Sequence, residues 1–306
     1  MMLQRDGFID EIYKALETDK DIYFLSADFG AAALDDLRVR YKDNFIHCGI
    51  SEQNMIDVAV GLALEGKKVF CYAMAPFISL RALEQIKTGP GIMNLPITLI
   101  SVGVGIGYAD SGPTHYVTEE FACLRSIIGV SIYTAADTSS ARALAKDLLV
   151  NPRFAYVRLD RHALPEVEFV KNHGLFRVIG EVTRDESETK KIALISHGKM
   201  VHICAEVVKH NPSRFFAIDL IQSKPFPKDL IELLSRTEKM IVTDEQTPAG
   251  SLGSAVFEAF SGVNLFPKII NVTLPEKYFF DNIGRDGIHK TNGLTAENII
   301  KQSERF

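Results

Sequence analysis

Short β-branched and aromatic runs alternate with longer helical stretches from Asp21 almost to the end of the chain, and this alternation limits what the sequence can fold into. Runs at 22–25, 44–47, 68–73, 97–102, 131–134 and 155–158 read as strands, and the segments between them carry a helical period. The stretch 52–65 puts Met55, Ile56, Ala59, Val60, Ala63 and Leu64 on one broad face and stops at Gly66; the stretch 76–87 opens with Pro76 and closes before Gly89 and Pro90. Strand and helix in alternation give a parallel sheet covered on both faces. The pattern weakens after Pro165, and 183–191 is almost wholly polar, so a domain boundary is expected there. It resumes with strands at 192–196, 215–219, 239–243 and 268–272 and helices at 200–210, 227–235 and 251–261. The predicted fold class is α/β, with two doubly wound parallel-sheet domains, residues 1–170 and a smaller 188–306, joined by a linker at 171–187.

Composition narrows the function. With 306 residues, 46% hydrophobic and 24% charged, the chain can bury two sizeable cores. A net charge of −5 without clustered Lys or Arg excludes a nucleic-acid surface or an anionic-membrane surface. The longest apolar stretches, such as 95–107, are broken by Gly and Ser and fall short of the ~20 residues that span a bilayer. Residues 1–10 lack a signal-peptide layout, so a cytoplasmic protein is expected. Cys48, Cys71, Cys123 and Cys204 show no CxxC or Cys/His grouping, which indicates neither a zinc site nor a disulfide framework.

Several segments could carry chemistry. Gly103, Gly105 and Gly107 follow a predicted strand in GxGxG rather than GxGxxG spacing, so they read as an extended loop at a strand's carboxyl end, where open α/β sheets place their sites. That loop carries Asp110, Ser111, Thr114 and His115, which are either ligand contacts at a pocket mouth or solvated turn residues. Glu52 opens a strongly apolar helix just after a strand. It is either a site carboxylate or a helix-start carboxylate favoured by the macrodipole, with Ser51 as its cap. The run from Pro248 through Gly250 to Gly253 reads as close packing rather than an anion cradle.

Taken in order, Ser26-Ala27-Asp28, Gly49-Ile50-Ser51-Glu52-Gln53, Arg81-Ala82-Leu83-Glu84-Gln85-Ile86, Asp110-Ser111-Gly112-Pro113-Thr114-His115, Tyr156 to Arg161, Gly250 to Val256 and Gly293-Leu294-Thr295-Ala296-Glu297-Asn298 resemble the C-terminal half of transketolases and of deoxyxylulose-phosphate synthases over essentially the whole chain. The resemblance implies a thiamine-pyrimidine-binding domain followed by a transketolase C-terminal domain that stabilises assembly without touching the chemistry. It further implies thiamine diphosphate as cofactor, with Glu52 hydrogen-bonding its aminopyrimidine ring, Asp28 nearby, Phe77 stacking on the ring, and Arg81 one turn on facing the same pocket. A core aromatic is the rival reading of Phe77.

On the substrate side it implies His115 at the substrate's oxygen atoms and Arg161 on a sugar phosphate, a surface salt bridge being the rival reading of Arg161. Ser111 stands where relatives have a hydroxyl-reading aspartate, with Asp110 one place earlier. Gly103 and Ala32 replace phosphate-contacting residues, and the stretch 72–80 holds a one-residue insertion.

The Gly-Asp-Gly…Asn motif that ligates Mg2+ and the cofactor's diphosphate does not occur in these 306 residues. The expected partner is therefore a separate N-terminal diphosphate-binding subunit that supplies the metal ligands, with self-association of this chain in an α2β2 assembly. The expected reaction is transfer of a two-carbon ketol unit from a ketose or ketose phosphate to an aldehyde. The alternatives are transfer of a pyruvate-derived two-carbon unit to an aldehyde or keto sugar, and a non-catalytic assembly subunit.

Overall fold

The computed structural model describes residues 1–27, 30–182, 191–262 and 266–306. The first half runs α1 (Gln4–Ala15), β1 (Ile22–Ala27), α2 (Ala33–Arg40), β2 (Phe45–Gly49), α3 (Glu52–Leu64), β3 (Lys68–Met74), α4 (Leu83–Ile86), β4 (Ile97–Val102), α5 (Glu120–Ser126), β5 (Ser131–Thr134), α6 (Thr138–Val150) and β6 (Ala155–Leu159). The second half runs β7 (Lys171–Asn172), β8 (Phe176–Ile179), β9 (Ile192–Ser196), α7 (Lys199–His210), β10 (Phe215–Leu220), β11 (Gln222–Lys224), α8 (Lys228–Leu234), β12 (Lys239–Thr243), α9 (Leu252–Phe260), β13 (Lys268–Val272), α10 (Gly284–Asn292) and α11 (Ala296–Ser303).

Two sheets result. The first has the order β11-β5-β6-β4-β3-β1-β2 and the second β13-β12-β9-β10-β8-β7. Every residue of β4, at the middle of the first sheet, is buried, as a strand covered on both faces requires. Helices α1, α2 and α6 seal one face through Phe8, Ile12, Leu34, Leu37, Ala141 and Leu144. On the other face α3 contributes Met55, Ile56, Ala59 and Ala63, although Leu64, expected on that face, is exposed. This second core runs without a break into the other sheet, through Ala193, Ile195, Ile218 and Val256. No helix among the described residues is long and apolar enough to cross a membrane.

Two departures from the expected pattern concern the boundary. The stretch 171–187 is not simply a linker: β7 and β8 lie in it and form an antiparallel edge on β10. Arg177 of β8 is buried and donates to Asp219 at 2.7 Å. The polar residues 183–190 lie outside the described residues. Finally, β11 leaves the second sheet and pairs antiparallel with β5 at the edge of the first. The glycines of 248–253 do pack closely, since a Cβ on Gly250 would stand 2.5 Å from that of Ala122.

The carboxyl ends of β9 and β12 face the first domain across a buried polar seam. Arg158 of β6 donates to Glu120 at 2.8 Å and to Thr134 at 3.0 Å, and lies 3.0 Å from His197 Nε2. Burial holds His197 well below its ordinary value, with the Arg158 charge adding to the effect, so the imidazole is neutral. Asp244, fully buried, accepts from Leu252 N at the start of α9 at 2.7 Å. Burial pushes its carboxyl up to about 6.

A carboxyl raised in this way contributes stability that is complete below the unfolded value near 3.8 and is lost as pH rises through about 6. Asp244→Asn keeps an oxygen for Leu252 N and is expected to raise the melting temperature at pH 8 while changing little at pH 4. An increment equal at both pH values in thermal denaturation would refute the assignment.

Candidate functional site

The chain leaves β3 at Met74 and turns at Pro76 into a π-turn over Phe77–Arg81, then α4, then a second π-turn over Lys87–Gly91 that contains Pro90. The regular helix expected over 76–87 is thus broken into three. An i→i+5 turn absorbs one extra residue without ending the helix, which accounts for the insertion read in 72–80. Ser79, buried in this turn, donates to the Ala75 carbonyl at 2.5 Å.

The widened turn aims Phe77 and Arg81 to one side. Arg81 lies over the Phe77 ring, 4.2 Å from its centre, and donates from Nη1 to Glu52 Oε2 at 2.7 Å. Glu52, 3% exposed, is the first residue of α3, where the helix dipole favours a negative charge. Ser51 occupies the N-cap position, but its hydroxyl donates back to the Cys48 carbonyl at 2.6 Å, so the expected cap is not made. The Phe77 ring meets the His115 imidazole edge-on at 5.7 Å, and Thr114 Oγ1 is 2.8 Å from His115 Nδ1. Phe77, Arg81 and Thr114 line a cleft of about 440 Å³ together with Pro76, Leu80, Pro113, Tyr116, Glu119 and Tyr278. Glu52 does not line this cleft; it stands one side chain behind it, at the far end of Arg81.

A second group sits further along the loop after β4. Asp110 and Ser111 share a 3-10 turn over Ala109–Ser111, both exposed. Arg161 pairs with Asp110 and lies over the Tyr108 ring, 4.4 Å from its centre. The Arg161 hydrogen bond holds the Asp110 carboxyl below its usual range. The loop closes on itself where Val117 N donates to Gly105 O at 2.9 Å. Gly105 has φ +59°, and a Cβ there would stand 2.5 Å from a Glu245 carboxylate oxygen, so this position needs glycine for both conformation and space.

The structure therefore brings Glu52, Phe77, Arg81 and His115 together, and Asp110 with Ser111 and Arg161. Asp28 lies outside the described residues. No motif pointed to Tyr278, which reaches the cleft from beyond β13. The neighbouring Glu119 charge pushes its phenol up. Tyr116 OH fixes that segment by accepting from Phe279 N at 2.7 Å across 163 positions of sequence, a separation that leaves no local spacing to read. One wall of the cleft thus belongs to the domain expected to stay away from the chemistry.

The arrangement is an aromatic face on one opening, with an imidazole against the ring's edge and a buried carboxylate one side chain behind. Residues 2–167 match the transketolase pyrimidine binding domain, and 180–299 match the transketolase C-terminal domain. The chain belongs to the transketolase family. It is a subunit of a thiamine diphosphate-dependent transferase of the transketolase type.

An apulose-4-phosphate transketolase subunit of Phocaeicola vulgatus is 28% identical over 314 residues, covering 100% of this chain and 98% of the relative. The 1-deoxy-D-xylulose-5-phosphate synthase of Nitrosomonas europaea is 28% identical over 271 residues, and there the match spans 87% of this chain but only 42% of the relative. Among solved structures, a split-gene transketolase described as an inactive beta4 tetramer superimposes with TM-score 0.83 at 23% identity, covering 99% of this chain and 97% of that one.

The residues in hand suit thiamine diphosphate's aminopyrimidine. A carboxylate excluded from water offers the ring a strong acceptor or shared proton, and Phe77 offers an aromatic face. Arg81 now holds the carboxylate that such a ring needs. Removing Arg81 leaves Glu52 buried without its cation, so Arg81→Met is expected to cost about 1–3 kcal/mol in urea unfolding of this chain. Glu52→Gln in the same background should recover most of that loss. A double-mutant cycle with no coupling between the two positions would show that the pair contributes nothing.

Proposed function

We propose that this transketolase-family chain is the pyrimidine-binding subunit of a two-chain enzyme that moves a two-carbon ketol unit from a ketose or ketose phosphate to an aldehyde acceptor. The observation that carries the reading is one cleft walled by Phe77, Arg81 and Thr114, with Glu52 bonded behind Arg81 and His115 set edge-on against Phe77. Residues 1–170 are the pyrimidine unit and 188–306 the C-terminal unit, with the strands of 171–179 built onto the latter.

Thiamine diphosphate, when bound, supplies the carbon nucleophile that carries the two-carbon unit. Glu52 holds a hydrogen bond at the aminopyrimidine nitrogen, and Arg81 must first release or share the carboxylate. Phe77 provides the stacking face, and Asp28 is a further cofactor-binding residue. His115, oriented by Thr114, holds and moves a proton at a substrate hydroxyl or carbonyl oxygen. Arg161 binds the phosphate end of a sugar, its fork geometry suiting a bidentate contact once Asp110 yields one side of it. Asp110 and Ser111 read sugar hydroxyls.

An N-terminal diphosphate-binding subunit supplies the ligands for Mg2+ and the cofactor's diphosphate. The whole forms an α2β2 heterotetramer in which this chain self-associates through both its domains, and it works in the cytoplasm on small sugars. Supporting this, the Phocaeicola vulgatus relative is named a transketolase subunit and is matched over nearly its full length, and the similar solved structure is of a split-gene transketolase.

The test mixes this chain with the partner carrying the Gly-Asp-Gly…Asn motif, thiamine diphosphate and Mg2+, and offers ketose phosphates and pyruvate as separate donors. Ketol transfer without release of carbon dioxide is the expected outcome. Carbon dioxide from pyruvate would move the assignment to transfer of a pyruvate-derived unit, and inactivity with every donor would favour an assembly role. Within an active complex, Glu52→Gln is expected to lower kcat/KM by about 10²–10⁴, a loss typical of a misplaced proton-sharing group. Full activity in that variant, read by acceptor-coupled assay, would remove Glu52 from the mechanism.

A further inference from the structure

Arg285 lies in the first turn of α10, is 9% exposed, and has carboxylate partners from both domains. Its Nη1 donates to Asp160 Oδ1 at 2.9 Å, just past the end of β6, and its Nε donates to Glu245 Oε1 at 2.7 Å, just past the end of β12. His289, one helical turn further along α10, meets the same Glu245 carboxylate. Burial alone would raise both carboxyls, but Arg285 together with hydrogen bonds from His162 outweighs it for Asp160, and Arg285 with His289 does so for Glu245, so both stay below the ordinary range.

Each of these contacts leads to the Asp110 and Arg161 pair by a separate route. Asp160 is the residue before Arg161, and its N–H is itself fixed at 2.8 Å by Gln4 Oε1. Glu245 presses on the backbone of the loop at Gly105. Helix α10 packs on the 3-10 turn that carries Asp110 and Ser111. A guanidinium sunk between two carboxylates is a poor way to gain stability, because apolar side chains of the same volume usually do as well. What such a cluster fixes is geometry, since neither carboxylate can move without stranding a charge.

We infer that Arg285, with Asp160 and Glu245, is a positioning device by which the C-terminal domain holds Arg161 and the Asp110 turn in register for the anionic end of the substrate. This rests on the reading of Arg161 as the phosphate-binding residue. The C-terminal domain then shapes acceptor selectivity although none of these three side chains lines the cleft.

The readout is phosphate preference, the ratio of kcat/KM for glyceraldehyde 3-phosphate to that for glyceraldehyde, measured in the complete two-chain enzyme. Arg285→Gln and Asp160→Asn are each expected to lower this ratio by about tenfold, as small misplacements of a binding group do. Arg285→Lys is expected to restore part of it by replacing the charge without the fork. A role confined to stability lowers both rates together and leaves the ratio unchanged, which would overturn the inference. Should Arg285→Gln fail to fold, Asp160→Asn and Arg285→Lys decide the matter by the same ratio.

Arg161→Gln serves as the reference. If it leaves the ratio untouched, the phosphate role of Arg161 is wrong and the inference falls with it. If it collapses the ratio while the Arg285 and Asp160 variants do not, the role of Arg161 stands and the positioning role of Arg285 is wrong.

Discussion

A charged side chain can be taken out of water only if its partner comes with it, and in this protein two buried arginines, Arg177 and Arg285, divide their partners between the domains. Among the described residues, three buried arginines cross the seam. Arg177 of β8 reaches Asp137 at the start of α6 as well as its own neighbour Asp219; Arg158 of β6 faces His197 behind β9; and Arg285 of α10 takes Asp160 behind β6. Each pairing is directional, so together they fix the orientation of the second sheet against the carboxyl edge of the first. The apolar core that runs through both sheets supplies the driving force, and the arginines decide the register in which it closes.

The same rule operates in miniature at the cofactor side. Glu52 is tolerated in the interior because the π-turn after β3 delivers Arg81 to it. Arg81 gains a second anchor in the Phe77 ring, which keeps the cation over an aromatic face rather than in solvent. The Glu52 carboxylate is thus held by a group that can move aside, since the Arg81 side chain is 39% exposed.

Much of this was legible in the residues. The strands β4, β5, β9 and β12 begin and end where the apolar runs do, because a parallel strand buried on both faces writes itself as an uninterrupted β-branched stretch. Arg177 hid β8, since a strand containing a buried arginine looks like a polar linker until Asp219 and Asp137 are known to face it. The run Gln222–Lys224 is equally polar, and only the free edge of β5 makes it a strand. Glu52 opens α3 as the apolar period implied, but its bond to Arg81 spans 29 positions and depends on a π-turn that no helical period announces. Tyr278 and Arg285 were missed for the same reason: their importance comes from what folds against them, not from their neighbours in sequence.

The pairing of β11 with β5 has a consequence for how such proteins can be cut and recombined. A strand from the second domain completes the first domain's sheet, so a polypeptide severed between the two would carry an open, flat β5 edge on one fragment and unpaired buried charges on both. Exchange of whole domains between relatives would face the same obstacle. A division of a larger enzyme that keeps β5 and β11 on one polypeptide avoids both costs.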